Sequence, residues 1–322
     1  MWLLLALLLS VPLAAQSGPA SRPFKAALIS PGSINDHGWN ASAWAGLKRI
    51  EQELGARTLQ QEVTDSARFQ AAMQSFAADH VDMVIAHGAE YMKAALAVGP
   101  RHLDTVFLVS AGTGAGKNVA GVIWRYEDAA YLAGFLAGKL SKTHKAGCVG
   151  GFQYPILDSV FAAFQAGARS VVPDFDVRVS NIQSWSDLGA GRATATAMVE
   201  QGCDILFHNA DEAGLAVLRV AAERKLLAFG CTADQSEREP TAVLASVVSD
   251  VPGSYLRLAR DIRDHKFAGK QIEWTLADGI VSLPLNPKLT DRIPADVMAE
   301  LRALEQRIRS RQLKVPYDQK PR

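Results

Sequence analysis

From residue 24 onward, apolar runs and amphipathic stretches alternate along the chain. FKAALIS (24–30) is apolar throughout, as a strand buried on both faces would be. SAWAGLKRIEQEL (42–54) sets Trp44, Leu47, Ile50 and Leu54 at helical spacing, which makes Trp44 a core residue. TLQQEV (58–63), VDMVIAH (81–87) and DTVFLVS (104–110) read as further strands. Between them DSARFQAAMQSFAAD (65–79) and YMKAALAVG (91–99) read as helices, the first with Asp65 and Ser66 as cap residues. The series restarts after residue 125. DAAYLAGFLAGKLS (128–141) predicts a helix, KAGCVGGF (145–152) a strand, and the segment from Pro155 a helix. Strands follow at 174–182, 203–209, 226–232 and 242–249, with helices at 188–202 and 212–225 between the first three. A helix at 254–266, a strand-like pair within 271–285 and a charged helix near 294–313 close the chain.

Strand and helix alternating at this spacing imply parallel sheets covered on both faces. The fold class expected is α/β, with two doubly wound Rossmann-like lobes. GVIWRYED (121–128) and ASVVSDVPGSY (245–255) are compact passages suited to hinge crossovers between them. The expected division is an N-terminal lobe of 24–123 plus 250–275 and a C-terminal lobe of 124–249 plus 276–289. Residues 290–322 form a terminal helix and tail. Two such lobes joined by several crossovers is the architecture of periplasmic binding proteins, which enclose a ligand when the lobes close about the hinges.

Composition narrows the class. The 322 residues are 48% apolar and 21% charged, with a formal net charge of +1, which is globular and lacks the basic excess of a nucleic-acid binder. The first twenty residues, MWLLLALLLSVPLAAQSGPA, read as a signal peptide cleaved after Ala15 or Ala20, so a periplasmic or otherwise extracytoplasmic protein is expected. No cysteine near that region offers a lipid anchor, and no later stretch approaches a membrane span. Cys148, Cys203 and Cys231 match no zinc or redox spacing and read as small buried hydrophobes.

GTGAGKN (112–118) imitates a phosphate-binding loop, but Asn118 stands where a hydroxyl is required, Ala111 where the first glycine is required, and extended chain follows. It reads as a glycine-rich turn. The strand ends are more informative, because open α/β sheets bind ligands there. In the first lobe they supply Asn35, Asp36, Trp39, Asn40 and His87. In the second they supply Phe152, Trp185, Asn209, Asp211, Thr232 and Asp234, with His208 ending a strand. These loops are aromatic, neutral and acidic, with almost no Arg or Lys, which suits a flat, uncharged or weakly basic ring better than a phosphate. Trp39 and Trp185, both read as polar-loop residues, would sandwich that ring, with roughly 1–3 kcal/mol expected from stacking a base on an aromatic. No catalytic residue, metal site or cofactor is expected.

ISPGSINDHGWNASAWAGLKRI (29–50), YLAGFLAGKL (131–140), GCVGGFQYPILDSVFAAFQAGAR (147–169) and FGCTADQSEREPTAVLASVVSDV (229–251) together resemble the basic membrane protein family of ABC-transporter solute-binding proteins, purine nucleoside receptor A type. The resemblance runs from about residue 24 to about 310. It implies a type I periplasmic-binding fold and capture of purine nucleosides or bases for a membrane permease. It also implies base stacking on Trp39 and Trp185, with polar contacts near Asn35, Asp36 and Asn40. The sequence departs from the family where Thr232 and Ser249 replace an Asp and a Lys that hold ribose hydroxyls, so a free base or another heterocycle is as good a candidate as a nucleoside. Asp211 replaces a small residue and adds an acceptor for a ring N–H. The expected protein is a monomeric receptor of an ABC importer; the alternatives are a ligand-presenting sensor of the same fold and a nucleoside hydrolase.

Overall fold

A computed structural model describes residues 22–36 and 38–317; the signal-peptide reading of residues 1–20 lies outside them. The first series consists of β1 (Lys25–Ser30), α1 (Trp39–Leu54), β2 (Arg57–Glu62), α2 (Phe69–Ala78), β3 (Met83–Ala86), α3 (Met92–Val98), β4 (Val106–Ser110), β5 (Ala115–Gly116) and β6 (Val119–Trp124). The second consists of α4 (Tyr126–Leu140), β7 (Lys145–Gly150), α5 (Pro155–Arg169), β8 (Asp176–Asn181), α6 (Leu188–Glu200), β9 (Ile205–Asn209), α7 (Asp211–Glu223), β10 (Leu227–Thr232) and β11 (Val243–Ser249). The chain ends with α8 (Val251–Arg263), β12 (Ile272–Trp274), β13 (Val281–Ser282) and α9 (Ala295–Arg309).

Two sheets result. The first has the order β12-β6-β4-β3-β1-β2, with the short β5 antiparallel to β6; the second has the order β13-β11-β10-β9-β7-β8. All other pairings are parallel except that of β13 with β11. This is the mixed α/β, two-lobed type I periplasmic-binding architecture. The strand-like pair read at 271–285 does not pair with itself, because β12 joins the first sheet and β13 the second. The chain therefore crosses between sheets three times, after Trp124, after Ser249 and through 275–280. The glycine-rich segment 112–118 is a turn carrying β5, followed by a strand where a phosphate-binding loop needs a helix.

Alternation along the strands sorts side chains to opposite faces. Ala27 and Ile29 of β1 join a core with Met73, Tyr91, Val98 and Phe107 under α2 and α3. Ala26 and Leu28 face the other way, toward Leu47, Ile50 and Tyr255 of α1 and α8. In the second sheet, Val149 and Leu206 pack with Met198, Val217 and Leu218 of α6 and α7. Cys148, Phe207 and Phe229 pack with Leu132, Phe161 and Phe164 of α4 and α5, in a cluster continuous with the α1/α8 side of the first lobe. One apolar core thus passes through the crossovers. All three cysteines are buried free thiols.

Helices α4 and α5 approach until their backbones nearly touch. A β-carbon on Gly134 would stand 1.9 Å from the Phe164 carbonyl oxygen, and one on Gly167 would stand 2.0 Å from that of Tyr131. The small residues of YLAGFLAG therefore serve helix packing.

Candidate functional site

The loop after β1 is organised by Asp36. Its carboxylate accepts hydrogen bonds from the backbone N–H groups of Gly38, Asn40 and Ala41 at 2.9–3.0 Å, and from Asn40 Nδ2 at 2.8 Å. These satisfy orphan donors of the α1 N-terminus, so Asp36 is a cap and not a free ligand group. The helix consequently starts at Trp39, within the stretch read from sequence as polar loop. Asn40 Oδ1 is buried and has no hydrogen-bond partner among the described residues. Asn35 is exposed, its N–H donating to Ser33 Oγ.

Trp39 is half-buried and stacks on His87, with centroids 4.1 Å apart and planes inclined by 25°. Trp124 meets it edge-on at 5.7 Å. The Trp39 carbonyl lies 2.9 Å from His87 Nε2 and can only accept, so Nε2 carries the proton. Nδ1 then accepts from one of the hydroxyls of Ser110 and Tyr255, both 2.8 Å away and hydrogen-bonded to each other. Burial pushes the imidazole down to about 3, which keeps it neutral. With 0% exposure, His87 supports Trp39 from behind and presents no nitrogen to a ligand.

In the second lobe, Trp185 lies flat against the backbone after β7. A β-carbon on Gly151 would come within 2.2 Å of Trp185 Cε3, so this approach requires glycine. Phe152 and Tyr154 complete the aromatic group, at 5.3 and 6.4 Å from Trp185. The Trp185 carbonyl accepts from Ala213 N–H at 3.0 Å, tying this loop to the start of α7. Trp39 and Trp185 are not stacked on each other; each belongs to the aromatic group of its own lobe.

The lobes meet where α1 and α7 begin. A β-carbon on Gly38 would lie 3.4 Å from the carboxyl carbon of Asp211. Asp211 has a left-handed φ of 43°, uncommon outside glycine, and its side chain makes no hydrogen bond or ion pair within the described residues. Burial, and then the charge of Asp36, push its carboxyl up to about 6. Asn209 ends β9 beside it, its carbonyl accepting from Gly151 N–H at 3.0 Å.

The remaining candidates divide. The Ser249 hydroxyl is buried and bonded to Tyr126 OH at 2.5 Å. Thr232 ends β10 with a left-handed φ of 73°. Asp234 is exposed and accepts from Ser236 N–H, a local turn contact. Its neighbour Gln235 is a strut: its side-chain oxygen accepts from His208 Nε2 at 2.7 Å and from Cys231 N–H at 3.1 Å. His208 is accordingly buried, and burial lowers it to about 4. Sequence reasoning missed Trp124, Tyr126 and Tyr255. Tyr126, directly after the strand end in GVIWRY, carried a positional signal; Tyr255 carried none.

A groove of about 450 Å³ also opens on the second lobe between α5 and β8, lined by Asp158, Phe161, Val177, Val179 and Asn181. It belongs to one lobe and lacks the paired aromatics of the interlobe surfaces. Among the described residues no group of three or more His, Cys, Asp or Glu could hold a metal ion, and no helix is long and apolar enough to cross a membrane.

The profile of the Bmp family, described as ABC transporter substrate-binding protein, PnrA-like, matches residues 24–319. Basic membrane protein A of Borreliella afzelii is 29% identical over 311 residues, covering 94% of each chain. A purine-binding protein of Brucella abortus is 27% identical over 298 residues, covering 91% of this chain and 83% of its own. The crystal structure of an ABC-transporter solute-binding protein from Aeropyrum pernix superposes with a TM-score of 0.79 at 19% identity, over 91% of this chain and 94% of that one. With the fold, the aromatic strand ends and this full-length match in agreement, the chain belongs to the Bmp family of PnrA-like ABC-transporter substrate-binding proteins.

Proposed function

We propose that the protein captures a purine-like ligand, a free base or a nucleoside, between its lobes and delivers it to the permease of an ABC importer outside the cytoplasm. The observation that carries this reading is the pair of aromatic groups at facing strand ends. Trp39 is braced by His87 and Trp124 in one lobe, and Trp185 is laid on Gly151 beside Phe152 in the other. Braced indoles are rigid platforms, and every nucleobase has a π-face to offer them. The strand-end stretches 33–40, 151–154, 183–187 and 209–212 contain no Arg or Lys, which disfavours phosphorylated ligands. The Brucella relative named as purine-binding supports the same ligand class. The family is one of substrate-binding proteins and not of enzymes, so binding without turnover is the expected behaviour.

Isothermal titration against adenine, guanine, hypoxanthine, adenosine and inosine tests the reading. Saturable one-to-one binding of at least one purine, recovered unchanged, is expected. No heat with any of them, or conversion of a nucleoside to base and ribose, would refute it.

A further inference from the structure

Two polar groups of the interlobe surface are acceptors without a partner among the described residues. Asp211 has two carboxylate oxygens with no hydrogen bond, and Asn40 Oδ1 is a buried acceptor without a partner. Nearby polar groups are already engaged: Asp36 by the α1 backbone, Ser249 and Tyr126 by each other, His87 by Ser110 and Tyr255. Asp36, and no Lys or Arg, is the charge that acts on the Asp211 carboxyl. Its left-handed backbone is a further sign of a residue held where local preference would not put it. These two acceptors are matched by donors that a ligand brings.

A carboxylate has two coplanar oxygens and matches a partner with two parallel N–H groups best, as in its pairing with guanidinium. Resting on the purine reading above, we propose that Asp211 is the specificity-determining residue, selecting a ring edge with two adjacent N–H donors, the guanine-type N1–H and 2-amino pair, over an edge lacking the second donor. Asn40 Oδ1, two residues from Gly38 on the opposing lobe, is a further acceptor for an N–H of the same ring. A ring that only accepts would leave these groups desolvated and unpaired, the arrangement that gives sites built for hydrogen bonding their discrimination.

The test compares ligands differing only in the 2-amino group, guanine with hypoxanthine and guanosine with inosine, by calorimetry at pH 7.5. A hydrogen bond to a charged group predicts tighter binding of the amino-bearing member of a pair by about 10- to 100-fold. Asp211→Asn, of the same size, should reduce that preference to within about threefold, thermal unfolding confirming that the variant is folded. Equal affinities within each pair in the unaltered protein, a comparison that needs no variant, would overturn the proposal and leave the purine reading standing. So would a preference that survives Asp211→Asn. Absence of binding by every purine would overturn both.

Discussion

Asp211 is held in a place that does not suit a carboxylate without a partner. Burial and Asp36 raise its pKa from 3.8 to about 6, and the other titratable groups beside it among the described residues, Tyr126 and Cys231, bring no positive charge. Between about pH 4 and pH 6 the native state therefore holds a proton that the unfolded chain has released, and stability from this residue falls as pH rises through that window. Asp211→Asn should stabilise the ligand-free protein at pH 7, and the gain should vanish near pH 4. Urea unfolding of both proteins across this range checks it; a gain independent of pH would contradict the assignment. Residue types at strand ends were legible from sequence, but their jobs were not. Asp36 looked like a ligand group and is a helix cap. His87 looked open and is locked by Tyr255, 168 residues away, a partnership that no local pattern reveals.

At the scale of elements, hydrophobic periodicity located nearly every strand and helix, because each buries a face and must repeat at 2 or 3.6 residues. The start of α1 was not legible, since it is set by the four hydrogen bonds to Asp36 and not by an apolar position. The partners of β12 and β13, with three and two residues, were also hidden, because such short strands take their sheet from tertiary context. The meaning of YLAGFLAG is an element-scale property too. Gly134 faces the Phe164 carbonyl with no room for a side chain. Gly134→Val should separate α4 from α5 and lower the unfolding free energy by about 1–3 kcal/mol, as overpacking does. Denaturant titration checks this, and an unchanged midpoint would show that the helices yield freely.

The whole molecule is two lobes on three crossovers, and the C-terminal segment is fastened over one of them. Beyond α9, Val315 is buried in the core, and Tyr317 lies with its ring centre 3.6 Å from the Arg125 guanidinium. Arg125 precedes α4 and also faces Glu127 and Glu273, at 3.4 and 3.3 Å. Tyr317→Ala removes a cation–π contact worth about 0.5–2 kcal/mol and should lower stability by that amount. A thermal midpoint equal to that of the unaltered protein would show the strap to be passive. The two-lobed organisation was legible from the restart of the βα series after residue 125, whereas the docking of the tail was not, because it depends on Arg125 reaching across the fold.

The central claim is that a purine ring is gripped between Trp39 and Trp185 from opposite lobes. Calorimetric affinity of the tightest purine for Trp39→Ala and Trp185→Ala tests it most directly. Stacking worth roughly 1–3 kcal/mol per base predicts that each variant, still folded, binds about 5- to 150-fold more weakly. Unchanged affinity in both variants would contradict the account.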